Sequence, residues 1–143
     1  MSRWLIGCCF LAALTALIIF AEKACEYAGD QDRIANVVAN SPVLTELDAI
    51  CADIDKPAGL VFLSKSLGGN SFTSRIAHNF SGDAPFAEIR SFARNWAIQN
   101  SWDIRAMEGP SEFLSVVLAK EKSTVSIGKV GTKYYYDCGR VTR

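Results

Sequence analysis

Beyond an apolar leader the chain carries three cysteines, Cys25, Cys51 and Cys138, and a single histidine, His78. An exported chain meets an oxidising compartment, where thiols pair rather than stay free. Three cysteines allow three single pairings; Cys51 with Cys138 is the expected disulfide, with Cys25 as the alternative partner. That bond would close a loop of about ninety residues and restrict the unfolded chain by roughly 4 to 5 kcal/mol in the chain-entropy model. Zinc fits poorly, because the thiols have no second histidine beside them and no CxxC spacing. His78 is the only base available to a Ser-His-Asp triad, yet no Gly-x-Ser-x-Gly elbow accompanies it, so a packed sheet residue is expected.

Two DxD pairs, Asp30-Gln31-Asp32 and Asp53-Ile54-Asp55, could each offer carboxylates to a divalent cation. A cation needs more oxygen ligands than that, and neither pair sits in a calcium-loop pattern, so solvated helix ends are expected. Gly68-Gly69-Asn70-Ser71 lacks the lysine of a phosphate loop and reads as a turn. Tyr134-Tyr135-Tyr136, with Trp102 and Phe113, could build an aromatic platform for a glycan or a peptide. In strand alternation Tyr134 and Tyr136 share one side and Tyr135 takes the other, which leaves Tyr135 as the interface candidate. Asn79-Phe80-Ser81 matches a glycosylation sequon by chance. No catalytic, cofactor or metal residue is assigned, and no cofactor is expected.

These residues need elements to position them. Ile34, Val37, Val38, Leu44, Leu47 and Ile50 recur at three- and four-residue intervals, interrupted at Asn40-Ser41-Pro42, which predicts two short helices as a hairpin. The second opens with Ser41 as N-cap and ends at Lys56-Pro57. Residues 59–66 and 72–80 read as two strands about a turn at Leu67-Gly68-Gly69-Asn70. The long helix runs from Ala84 to Gln99, capped by Asp83. It places Phe86, Ile89, Phe92, Ala93, Trp96 and Ala97 on one face and Glu88, Arg90, Ser91, Arg94 and Asn95 on the other. Asn100 is expected to take the left-handed exit conformation. Strands over 102–106, 113–120, 124–130 and 133–139 complete a β-β-α-β-β-β-β order. The fold class is α+β, with one long helix packed on an antiparallel sheet.

Trp4 to Ala21 contains no charge over eighteen residues. As a helix it is roughly 27 Å long, close to a bilayer's hydrocarbon thickness. Its large apolar side chains favour insertion by roughly 3 to 5 kcal/mol. Arg3 precedes it and Glu22, Glu26, Asp30 and Asp32 follow, so the N-terminus is expected in the cytoplasm and residues 22–143 outside. Residues 1–21 are expected to be an uncleaved signal-anchor. The alternative is a signal peptide cut after Ile19-Phe20-Ala21, which would give a secreted protein. Cys8 and Cys9 read as small apolar residues of the leader rather than a lipid-attachment site.

The chain has 143 residues with 15 bases against 15 acids, and no basic run exceeds one residue, which excludes a polybasic nucleic-acid binder. Residues 22–55 carry eight acids against two bases, and residues 56–143 carry twelve bases against seven acids. The expected outcome is that the two segments fold together and compensate each other. The 122 residues after the leader suffice for one hydrophobic core and not two, so 22–143 is expected to be a single domain.

The pattern Phe92, Trp96, Asn100-Ser101-Trp102, Lys120, Val125, Ile127, Tyr136 and Cys138 resembles small exported bacterial domains of unknown function, anchored by a lipid or a single helix. The resemblance covers about residues 72–140. It departs at Ser101, where glycine is expected, and lacks a lipoprotein cysteine at the end of the leader. It implies a bacterial envelope protein and supplies no active site. Together these readings predict a noncatalytic domain anchored in the bacterial inner membrane, acting by binding a protein partner in an envelope assembly or as an immunity-type protein. The alternative is a small extracytoplasmic hydrolase or glycan-binding enzyme using His78 or the Asp53/Asp55 pair.

Overall fold

The computed structural model describes residues 27–107 and 114–142. The expected membrane anchor, Cys25 and Phe113 lie outside the described residues. Among the described residues no helix is long and apolar enough to cross a membrane. The fold is α+β: the described residues form three helices and one antiparallel sheet of six strands.

The first helix, α1, ends at residue 39. Proline at 42 separates it from α2 (Pro42–Asp53), whose N-cap is Ser41, the hydroxyl accepting from the Leu44 N–H at 3.3 Å. Thr45 Oγ1 donates to the Val38 carbonyl and ties this start to the end of α1. Helix α2 buries Leu47 and Cys51. Past its end the Lys56 ammonium donates to the carbonyls of Ala52 and Ile54, at 3.1 and 2.6 Å, where the helix leaves acceptors without partners.

Strands β1 (Leu60–Asn70) and β2 (Thr73–Gly82) form a hairpin whose turn is Ser71-Phe72. The turn expected at Leu67-Gly68-Gly69-Asn70 is instead the end of β1. Gly69, at φ 121°, lets the strand reach its partner: a Cβ there would stand 2.2 Å from the Thr73 carbonyl oxygen. Asn70 then closes the turn with its side chain, which accepts from the Phe72 N–H at 2.8 Å.

Asp83 is not the cap of α3 (Phe86–Gln99); the N-cap is Pro85, and among the described residues no side chain caps the helix. Residues before a proline are driven out of the helical region, so Ala84 cannot be the first helical residue. Its carbonyl instead accepts the Tyr134 hydroxyl at 2.6 Å. Glu88 supplies the favourable negative charge in the first turn. Ile89, Ala93, Trp96 and Ala97 are buried, on the face that the apolar spacing defines.

At the exit the left-handed residue is Ser101, at φ 59°, while Asn100 stays at φ −101°. Trp102 N–H donates to the Ala97 carbonyl at 2.8 Å and Ser101 N–H to that of Ile98 at 3.4 Å, the Schellman pattern with serine in glycine's place. Ser101→Gly is therefore expected to raise stability by about 1 kcal/mol, read as a shift in the urea midpoint at constant slope. No shift would mean that the serine side chain compensates its strain.

The chain returns through β3 (Asp103–Ala106), β4 (Leu114–Lys120), β5 (Ser123–Val130) and β6 (Lys133–Val141), in the spatial order β1-β2-β6-β5-β4-β3. Strand β6 thus lies between β2 and β5. Helix α3 carries the chain from β2 to the far edge. That crossing covers four strand spacings, about 19 Å, and a helix of this length spans about 21 Å. Glu121-Lys122 and Gly131-Thr132 make two-residue hairpins. Both α2 and α3 cover one sheet face, built from Ile76, His78 and Phe80 of β2, Tyr134, Tyr136 and Cys138 of β6, Val125 and Ile127 of β5, and Val116 and Leu118 of β4, all buried.

Candidate functional site

A cleft of about 270 Å³ is lined by Glu46 and Ile50 of α2, Trp102 at the exit of α3, Lys120, Glu121 and Ser123 around the β4–β5 turn, and Arg140 of β6. Arg140 is fixed on its inner side: Nε donates to Ser123 Oγ at 2.9 Å, and Ser123 is buried. Its outer fork holds the Glu46 carboxylate with two bonds, Nη1 to Oε2 at 2.6 Å and Nη2 to Oε1 at 2.7 Å. Hydrogen bonding from the guanidinium holds the Glu46 carboxyl below the usual carboxylate range, and the same bond raises Arg140. Lys120 Nζ donates to the Asn100 carbonyl at 2.8 Å, and the Trp102 ring lies 5.5 Å from that of Trp96.

Two non-glycine residues with left-handed backbone border this cleft, Glu121 at φ 54° on its rim and Ser101 immediately before Trp102. Such conformations cost energy and persist where the surroundings impose them. Sequence reasoning gave Trp102 and Ser101 but not the cleft itself. Glu46 and Arg140 are 94 residues apart, and no local spacing signals their pairing.

The sequence candidates fall elsewhere. Cys51 and Cys138 are joined as a disulfide, with Cα atoms 6.0 Å apart, which ties α2 to the middle of the sheet. His78 lies in the buried face: its Nε2 is 2.6 Å from Asp48 Oδ1, and Lys65 Nζ donates to Asp48 Oδ2 at 2.7 Å. Burial pushes the His78 pKa down, more than the Asp48 hydrogen bond lifts it. Burial raises Asp48, but hydrogen bonds from Lys65 and His78 outweigh it and leave its pKa lowered. The neutral imidazole with its N–H on Asp48 is a positioned core group.

Asp53 accepts the Trp96 indole N–H at 3.0 Å. Among the described residues no three His, Cys, Asp or Glu side chains gather as metal ligands, and the two DxD pairs are not brought together with others. The tyrosine platform does not assemble: Tyr134 and Tyr136 are buried in the helix-covered face, and Trp102 stands at the cleft. Tyr135 points to the opposite face and is half-buried, its ring laid so closely over Gly128 that a Cβ there would meet Tyr135 Cζ at 2.0 Å. At the edge of the core, the half-buried Lys56 Nζ lies 5.7 and 5.6 Å from the ring centres of Phe80 and Tyr136. Burial lowers the Lys56 pKa, against the opposing charges of Asp55 and Asp53.

A second feature is the edge of the sheet. Strand β1 runs eleven residues and, among the described residues, pairs only with β2. Val61, Phe62 and Leu63 are exposed there, at 63%, 49% and 43%, beside a bulge between Phe62 and Ser64. Comparison with family models, with curated proteins and with solved structures finds no match for this chain.

Proposed function

We propose that this chain is a noncatalytic binding protein of the bacterial envelope, held in the inner membrane by residues 4–21 with its N-terminus in the cytoplasm, and that it acts by binding a protein partner outside. The observation that carries the reading is the run of three exposed apolar residues, Val61, Phe62 and Leu63, along the edge strand β1. Native proteins blunt long sheet edges with charge, bulges or a covering element, and this one has its bulge and Lys65 but keeps Val61, Phe62 and Leu63 substantially exposed, with Phe62 edge-on to the rings of His78 and Phe80. The disulfide fits an oxidising compartment, and the ion pairs Glu46–Arg140 and Asp48–Lys65 join the acidic early segment to the basic remainder, which argues against a separate basic face.

A photo-crosslinker at Phe62 in the full chain, in intact cells, is expected to capture one discrete protein species. The same crosslinker at Ile98, exposed on α3, is expected to capture none. Equal smears from both positions would defeat the reading. Retention of the chain in the membrane pellet after alkaline carbonate, together with an intact mass that includes residues 1–21, separates the anchored form from a secreted one.

A further inference from the structure

We propose that the cleft at Arg140 is a binding site for a small molecule with one carboxylate on an apolar body, and that Glu46 occupies the place of that carboxylate when no ligand is bound. The inference is independent of the envelope reading. Arg140 is prepared in the way a recognition arginine must be: the Ser123 bond fixes the guanidinium plane from behind, and both outer N–H groups point at one planar acceptor. The acceptor they now hold is a side chain from α2 that is more than half exposed and can swing into solvent without disturbing the helix.

The rest of the wall bears on the ligand's chemistry. Ile50 and Trp102 supply the apolar part of a wall that is otherwise polar, and Lys120 stands beside them with one of its donors used by the Asn100 carbonyl. With Glu46 displaced, Arg140 and Lys120 face Glu121 on the rim, a balance that suits a single negative charge and disfavours two. The cleft volume is that of about nine waters, room for a ligand on the order of a dozen non-hydrogen atoms. The two left-handed residues do their work here: Ser101 turns the chain so that Trp102 reaches the cleft, and Glu121 forms the turn on which Lys120 and Ser123 flank Arg140.

The test is calorimetric titration of the full chain, reconstituted in nanodiscs, with 3-phenylpropionate, its amide and inorganic phosphate. The acid is expected to bind saturably, the amide and phosphate not. Glu46→Gln, which removes the internal competitor, is expected to tighten binding by about tenfold, whereas Arg140→Gln abolishes it. Thermal melts check that each variant is folded; if Arg140→Gln is not, the sign of the Glu46→Gln effect decides alone. Weaker binding by Glu46→Gln, equal binding of the amide, phosphate bound as tightly as the acid, or no saturable heat with either protein would each overturn the proposal.

Discussion

Replacing Cys51 and Cys138 together by alanine is expected to lower the free energy of unfolding by about 3 to 5 kcal/mol. The bond joins residues 87 apart, so the unfolded chain loses a large loop's worth of freedom while the native chain, already packed there, loses little. Both cysteines are fully buried, and each alanine also removes a sulfur from the contact between α2 and β6. Urea unfolding of the oxidised protein, the reduced protein and the double variant measures the effect. Reduction and double substitution should agree within about 1 kcal/mol. A loss under about 1 kcal/mol would show that α2 is held by its apolar face alone. Cys51→Ala alone leaves Cys138 with a free thiol, and any mixed disulfide it then forms with Cys25 is read directly from peptide mass mapping.

Asp48→Ala is expected to cost about 2 to 3 kcal/mol, because it removes the acceptor of a buried imidazole N–H and one partner of the Lys65 ammonium at once. The pH dependence has a fixed sign. The folded His78 pKa lies below the unfolded value of 6.5, so the unfolded state binds the proton first. The associated stability is complete above that value and is lost as pH falls through the interval down to the folded pKa. Asp48, lowered from 3.8, contributes stability above that value, which is lost as pH falls through its own folded pKa. Acid therefore weakens the fold in two successive windows. Asp48→Ala should remove the lower one and keep the upper. A stability profile flat between pH 7 and pH 4 would show that His78 titrates alike in both states.

The helices and the hairpins were legible because each is set by neighbours in sequence. The three- and four-residue spacing of Ile89, Ala93, Trp96 and Ala97 defines the buried face of α3, and Ser41-Pro42 defines the start of α2. Where two local signals competed, the weaker was misread. Gly68-Gly69 suggested a turn, but Gly69 is where β1 passes close to Thr73, and the turn went to Ser71-Phe72, which carries no glycine. Asp83 had the side chain for a cap and lost the position to the constraint of Pro85 on Ala84.

What the sequence could not show was adjacency. Nothing local says that β6 enters between β2 and β5, or that Arg140 meets Glu46, and the cleft exists only through that insertion. The alternation of the tyrosines was legible, with Tyr134 and Tyr136 on the buried face, whereas nothing local showed that Trp102 would join residues from three distant segments.

The insertion of β6 also sets an order of events during synthesis. The β1–β2 hairpin leaves the ribosome early, yet its inner neighbour is the strand made last among the six. Until Lys133–Val141 has emerged, β2 exposes a bare inner edge, and Cys51 waits for a thiol not yet translated. The sheet therefore closes in a single late step. A nascent chain arrested before residue 133 should remain sensitive to protease throughout its first half, whereas release of the full strand should protect both halves together.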